Sequence, residues 1–414
     1  MEKNKNVPEI RFQGFTDEWG RKPLGKIGNT YTGLCGKTKV DFGHGEAKYI
    51  TYMNIFSNPV SKRDMTKPIE IDNNQNTVQF GDIFFTTSSE TPKEVGMSSV
   101  WLENLENVYL NSFCFGYRPT LKLNSYFFTY MLRSPTFRKK IIYLAQGISR
   151  YNISKTKVMD IIISISKIDE QTKIGTYFKN FDKLITLKQC KLDKLKSVKK
   201  SMLEKMFPRE GATVPEIRFQ GFSGEWKQGR LNDFIKPSSE KNTFGKYSKK
   251  DVLSVSGDVG IVNQIEFQGR SFAGSSVVNY GVVLTGDVVY TKSPLKKNPF
   301  GIIKTNMGEP GIVSTLYAVY KTKENIYPQF VQFYFDFDYR LNKYLKPLVN
   351  KGAKNDMKVT NKNALLGQVI FPNYSEQKKI ALYLNQLNNL ISHQQKEIEK
   401  LKQIKTSCLS KMFV

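Results

Sequence analysis

The chain has 414 residues, with 63 Lys+Arg against 37 Asp+Glu and a formal net charge of +26. At 39% hydrophobic and 13% aromatic it can build two or three domains with their own cores, which excludes a disordered chain. No run approaches the ~20 apolar residues of a membrane span, and Cys35, Cys114, Cys190 and Cys408 stand singly, far from a disulfide framework or a zinc finger with His44 and His393.

The charge selects a polyanionic partner, nucleic acid first and an anionic membrane surface second. From the N-terminus, Met1 to Pro8 is polar, with Lys3 and Lys5 and no apolar run behind them, so a secretory signal is not expected and a reduced, cytoplasmic protein is. Val7-Pro-Glu-Ile-Arg-Phe-Gln-Gly-Phe-Thr-Asp-Glu-Trp19 follows. Ile83-Phe84-Phe85, behind Gly81-Asp82, is a predicted strand that leads into the polar stretch 86–93. Asn, Gln, Ser, Thr and Arg read base edges while Lys and Arg neutralise phosphates, which makes Thr87, Ser88, Ser89 and Lys93 candidate DNA contacts. A helical patch at Ser125–Arg133 precedes a second such stretch, 147–155, with candidates Arg150, Tyr151, Asn152 and Lys155. Ile161 to Ile165 is a further predicted strand.

Residues 168–207 have no Gly after Gly175 and no Pro. Apolar residues at Ile174, Phe178, Phe181, Ile185, Leu192, Leu195, Val198, Met202 and Met206 form one stripe along a helix, interrupted by Lys188 and Lys199. About 36 residues make a rod of about 54 Å. Such a stripe needs a partner.

Past a short linker the N-terminal motif returns as Val214 to Trp226, with eleven of thirteen positions identical. The rod returns too. Glu170-Gln171, Lys173-Ile174, Tyr177 and Leu184-Ile185 reappear as Glu376-Gln377, Lys379-Ile380, Tyr383 and Leu390-Ile391, and Lys205-Met206-Phe207 as Lys411-Met412-Phe413. Its stripe holds Ile380, Leu384, Leu387, Ile391, Ile398, Leu401, Cys408 and Met412, with Gln394 and Lys405 interrupting. The chain is one unit written twice with divergent middles, a common scaffold carrying two different readers. Predicted strands of the second copy are Val252–Val255, Val282–Leu284, Val288–Tyr290 (behind Gly286-Asp287) and Ile312–Val319, followed by a helical patch at Pro328–Tyr344. Its polar loops fall at corresponding places. Lys292, Ser293, Lys296 and Lys297 follow a strand, and Lys354, Asn355 and Lys358 match the Arg150 loop. The expected architecture is α+β: globular domains at 1–167 and 214–373, long helices at 168–207 and 374–414, and a linker at 208–213. The two helices would pair as an intramolecular coiled coil, parallel or antiparallel.

Catalytic signatures are missing. There is no phosphate-binding Gly-rich loop ending in Lys-Ser/Thr, no His-Glu-x-x-His and no Gly-x-Ser-x-Gly. Asn298-Pro299-Phe300 lacks the second proline of an amino-methyltransferase motif, and Glu240-Lys241 is a pairing that a Lys-rich chain produces by chance. The rods carry +5 and +4, so +17 lies elsewhere, mostly in the two globular domains.

The duplicated Pro-Glu-Ile-Arg-Phe-x-Gly-Phe-x-x-x-Trp, the Glu-Gln-x-Lys-Ile opening and Lys-x-Met-Phe end of each rod, and Gly286-Asp-Val-Val-Tyr-Thr-Lys-Ser-Pro-Leu-Lys296 together resemble the DNA-specificity subunits of type I restriction–modification systems over essentially the whole chain. The resemblance implies that each globular domain reads one half of a bipartite double-stranded target. It implies that the helices pair antiparallel about a pseudo-two-fold axis, set the spacing, and dock two methyltransferase subunits, with restriction subunits recruited to the assembly. S-adenosylmethionine, ATP and Mg would then serve those partners, and this chain would be non-catalytic, bind no cofactor or metal and touch no membrane. The rival readings are a stand-alone DNA-cleaving or DNA-modifying enzyme with an unrecognised site, and a basic scaffold for membranes or RNA.

Overall fold

The structure, a computed structural model, describes residues 6–351 and 357–414. The chain divides into two compact units, Met1–Gln189 with Lys396–Val414, and Cys190–Gln395.

In chain order the first unit holds β1 (Gly20–Pro23), β2 (Gly28–Thr32), β3 (Phe42–Ile50), α1 (Tyr52–Ser57), β4 (Thr66–Ile69), β5 (Ile83–Thr86), β6 (Ser88–Ser89), β7 (Ser98–Val100), β8 (Val108–Leu110), β9 (Cys114–Pro119), α2 (Ser125–Met131), α3 (Pro135–Tyr143), β10 (Tyr151–Asn152), α4 (Lys155–Met159) and β11 (Ile162–Ile165). Then α5 (Ile168–Lys205) begins, 38 residues long, and runs on into the second unit. The central sheet is antiparallel in the order β2-β9-β5-β7, with β4-β3-β8 beside it. Strand β5 is buried throughout and apolar in its first three residues because both its faces are covered. Ile83 and Phe85 enter one core with Phe115, Phe127 and Phe137, while Phe84 enters another with Ile50, Trp101 and Leu110, the period-two alternation of a strand. Asn124 and Ser134 cap α2 and α3 by accepting from the amides of Phe127 and Phe137.

The second unit holds β12 (Lys227–Arg230), β13 (Ile235–Pro237), β14 (Leu253–Ser256), β15 (Gly260–Asn263), α6 (Gln264–Gln268), β16 (Gly281–Val283), β17 (Val288–Thr291), β18 (Ile303–Thr305), β19 (Gly311–Val313), β20 (Tyr317–Thr322), α7 (Pro328–Phe335), α8 (Asp338–Leu345), β21 (Asn350–Lys351), β22 (Met357–Lys358) and β23 (Gln368–Phe371), and it starts α9 (Tyr374–Lys411), which ends in the first unit. Its sheet runs β13-β20-β17-β18, and β17 alternates like β5, with Val288 and Tyr290 in one core and Val289 in another. Two predicted elements differ from the sequence reading. The stretch Ile312–Val319 is two strands, because the chain turns at Ser314, whose carbonyl accepts from the Tyr317 amide at 3.1 Å. The patch Pro328–Tyr344 is two helices broken at Asp336–Phe337.

The Gly-Asp pairs shared by the two copies are structural. Asp82 accepts from the Gln79 amide and takes a two-pronged contact from Arg118 on β9 at 2.8 and 2.7 Å. Asp287 accepts from the Leu284 amide and from Lys321 on β20, both at 2.7 Å. Each aspartate thus closes the turn before a core strand and ties it to the neighbouring strand.

Candidate DNA interface

Strand polarity gathers the candidate loops. In the first unit β2 and β5 both run antiparallel to β9, so Thr32 opposite Phe115 and Thr86 opposite Cys114 leave the sheet at the same end. In the second unit β13 and β17 both run antiparallel to β20, and Thr291 faces Tyr317 at its start. Ser238 continues β13 in that direction, its amide donating to Val319. Within each unit the loops after these two parallel strands therefore share one end of the central sheet.

In the first unit the stretches 86–93 and 147–155 meet directly. Strand β6 pairs with β10, placing Ser89 opposite Tyr151 and Ser88 opposite Asn152, and the Ile153 amide donates to the Thr87 carbonyl at 3.0 Å. Arg150, Asn152, Lys155 and Lys93 are exposed, and Thr87 and Tyr151 are half-buried. Ser88 and Ser89 correct the sequence reading: both side chains are buried, and the Ser88 carbonyl accepts from the Tyr52 hydroxyl at 2.7 Å. They sit within the β6–β10 pairing rather than face solvent. Composition gave no sign of Arg138, which fixes the same loop from beneath. Its guanidinium donates to the carbonyls of Lys93, Val95 and Gly96, and burial lowers its pKa to about 10, still cationic at neutral pH.

In the second unit Lys292 and Ser293 are half-buried and Lys296 and Lys297 exposed. Lys292 Nζ donates to Asn361 Oδ1 at 3.4 Å, which brings the loop after β17 to the segment following the β21–β22 hairpin, and burial lowers the lysine's pKa. Lys358 is exposed on β22; Lys354 and Asn355 lie outside the described residues. Asn298 is buried between Asp338 and Asn342, so the Asn-Pro-Phe stretch closes a loop onto α8. The segment 238–251, which also leaves this sheet end, holds Lys241, Lys246, Lys249 and Lys250 and was not singled out as a binding loop from sequence.

The repeated motifs supply the frame beneath these loops. Glu170 at the start of α5 is buried and accepts from Arg11 at 2.6 and 2.8 Å and from the Trp19 indole at 3.1 Å. Glu376 at the start of α9 accepts from Arg218 at 2.7 Å on both oxygens. Gln171 and Gln377 accept from the amides of Asn124 and Tyr327, just ahead of α2 and α7. Inside the first unit the end of α9 lies antiparallel to the start of α5: Tyr177 meets Cys408, Asp182 pairs with Lys405, and Lys188 reaches Glu397 at 2.8 Å. Phe413 packs against Trp19, Phe127 and Phe178. Inside the second unit the end of α5 does the same, with Phe207 against Trp226, Phe330 and Tyr334.

Of the stripe residues, Ile174, Phe178, Leu192, Ile380, Leu384, Leu387 and Ile398 are buried, and Phe181, Ile185, Leu195, Ile391 and Leu401 are half-buried. The polar interruptions are placed as well: Lys188 and Lys405 sit in ion pairs, Lys199 lies 3.9 Å from Asp336, and Gln394 is buried.

Among the described residues no cluster of three or more His, Cys, Asp or Glu could hold a metal ion, and no helix is long and apolar enough to cross a membrane.

Residues 16–197 match the family model of the type I restriction modification DNA specificity domain. The "Putative type I restriction enzyme MjaX specificity subunit" of Methanocaldococcus jannaschii is 23% identical over 308 residues, covering 70% of this chain and 67% of that protein. The solved S subunit of a type I restriction–modification system from M. genitalium aligns with a TM-score of 0.58 at 14% identity, over 99% of both chains. A chain from a structural study of complex assembly and conformational transition of the type I system aligns with a TM-score of 0.52 at 15% identity, over 94% of this chain and 96% of that one. At these identities the structural likenesses show a shared fold.

Proposed function

We propose that this chain is a type I restriction–modification DNA-specificity subunit, on the match of residues 16–197 to that domain's family model and the likeness to a specificity subunit at 23% identity, and that its two globular units each read one half of a bipartite duplex target. The observation that supports this most directly is the convergence, within each unit, of the polar and basic loops at one end of the central sheet. Exposed Lys and Arg there give phosphate contact and salt-dependent affinity, and neighbouring Asn, Thr and Tyr side chains give base-edge contact. The contacts assigned are Thr87, Lys93, Arg150, Tyr151, Asn152 and Lys155 in the first unit, and Lys292, Ser293, Lys296, Lys297 and Lys358 in the second, with Lys354 and Asn355, outside the described residues, kept as candidates from the sequence.

The two long helices set the separation of the half-sites and dock two methyltransferase subunits, with restriction subunits joining the assembly. Exposed apolar side chains on the helices, Leu184 and Leu187 on α5 and Leu390 on α9, are available for that docking. Methyl transfer from S-adenosylmethionine and ATP- and Mg-driven cleavage belong to those partners; this chain is a cytoplasmic, DNA-associated reader without an active site of its own.

The test is to express the chain with its methyltransferase and map methylated adenines. Two short specific sequences at a fixed separation are expected. Arg150→Ala should then release one half-site and Lys292→Ala the other. An Arg150→Ala chain that loses both equally would overturn the two-reader assignment, and cleavage of DNA by the purified chain with magnesium alone would overturn the non-catalytic one.

A further inference from the structure

The segment after β13 ends in a tight turn with an aromatic residue at its tip. The Gly245 amide donates to the Asn242 carbonyl at 3.0 Å, and Gly245 has φ +64°, the left-handed region that glycine occupies without strain. Phe244, just before it, is 98% exposed. A Phe in water is ordinary on a floppy loop, but this turn is stapled from below. Asn242 is buried; its Nδ2 donates to the Tyr247 carbonyl at 2.7 Å, its Oδ1 accepts from the Tyr247 amide at 2.9 Å, and its own amide donates to Tyr280 at 3.0 Å. The Tyr247 ring packs into a small apolar cluster with Val252, Val282 and Ile312. Ser248 and Asp251 then close a reciprocal cap at the far side.

The fold therefore holds a bare aromatic ring in place while leaving it uncovered. The same segment carries Lys241, Lys246, Lys249 and Lys250 within six residues of the ring. A bare ring and a run of lysines on one segment suit an occupant that offers both negative charge and flat apolar surface, which is the chemistry of nucleic-acid bases on a phosphate backbone. The turn also leaves the sheet at the end where Lys292 emerges.

We propose that Phe244 is an apolar wedge that the second unit presses against the bases of its own half-site, with the lysines of the same segment on the flanking phosphates. This rests on the DNA-reading assignment above, and the experiment separates the two. The full chain, co-expressed with its methyltransferase, is titrated with the target duplex found by adenine mapping. Phe244→Ala should weaken binding about tenfold or more, and Phe244→Trp should restore most of it, with an unchanged thermal unfolding midpoint in both. The Phe244→Ala loss should vanish on a duplex whose half-site read through Lys292 is scrambled. Affinity within twofold of the parent, while Lys292→Ala still weakens binding, overturns the wedge and leaves the reader standing. No effect of either substitution on target affinity overturns both. Retained DNA affinity with lost methyltransferase capture, or with lost binding to phosphatidylserine–phosphatidylcholine vesicles, also overturns the wedge, since the ring would then face a protein or a membrane.

Discussion

Glu170 shows what the shared sequence motifs are for. Its side chain is 1% exposed, yet it accepts from the Arg11 guanidinium and from the indole N–H of Trp19, so its buried charge is paired. Replacing it by alanine leaves Arg11 uncompensated where water cannot reach freely, and removing one partner of such a pair costs about 3 kcal/mol or more. Glu170→Ala should therefore lower the unfolding free energy by about that amount in denaturant titration; a loss under about 1 kcal/mol would show that the pair is solvent-screened. Cys114 makes a second residue-level case. Burial pushes its thiol up to about 12 from an ordinary 9.0, so the neutral form is favoured in the fold. The sign follows: its contribution is fully present below pH 9 and is lost as pH rises from there through about 12. At pH 8, exposed Cys35 and Cys190 should react with a maleimide well before Cys114, read by peptide mass mapping. Equal rates would contradict the buried placement. Single residues were the least legible part of the sequence. Ser88 and Ser89 look like surface contacts because small hydroxyls usually are, but strand pairing with β10 buries them. Phe244 looks like core because aromatic rings usually are, and nothing in a Thr-Phe-Gly string marks a ring held outside.

At the scale of elements, length decided what could be read. The helices α5 and α9 each span 38 residues, so the apolar stripe repeats often enough to fix their type and face. Short elements had no such repetition. Ile312–Val319 contains no Gly or Pro, so its turn at Ser314 leaves no mark, and the break at Asp336 between α7 and α8 is written only in acidic residues that can equally sit on a helix. The antiparallel pairing of β6 with β10, which joins the stretches 86–93 and 147–155, is the feature on which the reading proposed for the first unit depends. Gly147 holds φ +141°, and a Cβ there would come within 2.0 Å of the Arg150 carbonyl oxygen. Gly147→Ala therefore combines backbone strain of about 1–3 kcal/mol with a direct clash. The expected result is selective loss of the half-site read through Arg150, with the other half-site still bound, in binding assays on duplexes carrying one scrambled half each. Intact recognition of both halves would show that the 147–155 loop can shift without consequence.

For the whole molecule, the duplication was plain in the sequence, but the exchange it encodes was not. Each long helix opens in one compact unit and closes in the other, and the Lys-x-Met-Phe end of α5 completes the core beside Trp226 as that of α9 completes the core beside Trp19. The backbone repeats the arrangement, with Ile10 donating to Lys411 at 3.0 Å and Ile217 to Lys205 at 2.9 Å. Sequence matching revealed the equivalence of these ends; only packing revealed which copy each one serves. The exchange bears on the proposed spacing role, because a helix anchored by its two ends in two compact units cannot change length without consequence for either. Seven residues, two helical turns with the apolar stripe kept in phase, add about 10.5 Å. Inserted into both helices, after Gln189 in α5 and after Gln395 in α9, they preserve the antiparallel register within each unit, including Asp182–Lys405 and Lys188–Glu397. At about 3.4 Å per base pair, the separation between the two methylated half-sites should grow by about three base pairs while both half-site sequences stay the same. Insertion into one helix alone puts the stripes out of register and should cost stability rather than change the target. Methylation mapping of the doubly extended chain reads this directly, and an unchanged separation would remove the helices from any role in setting the spacing.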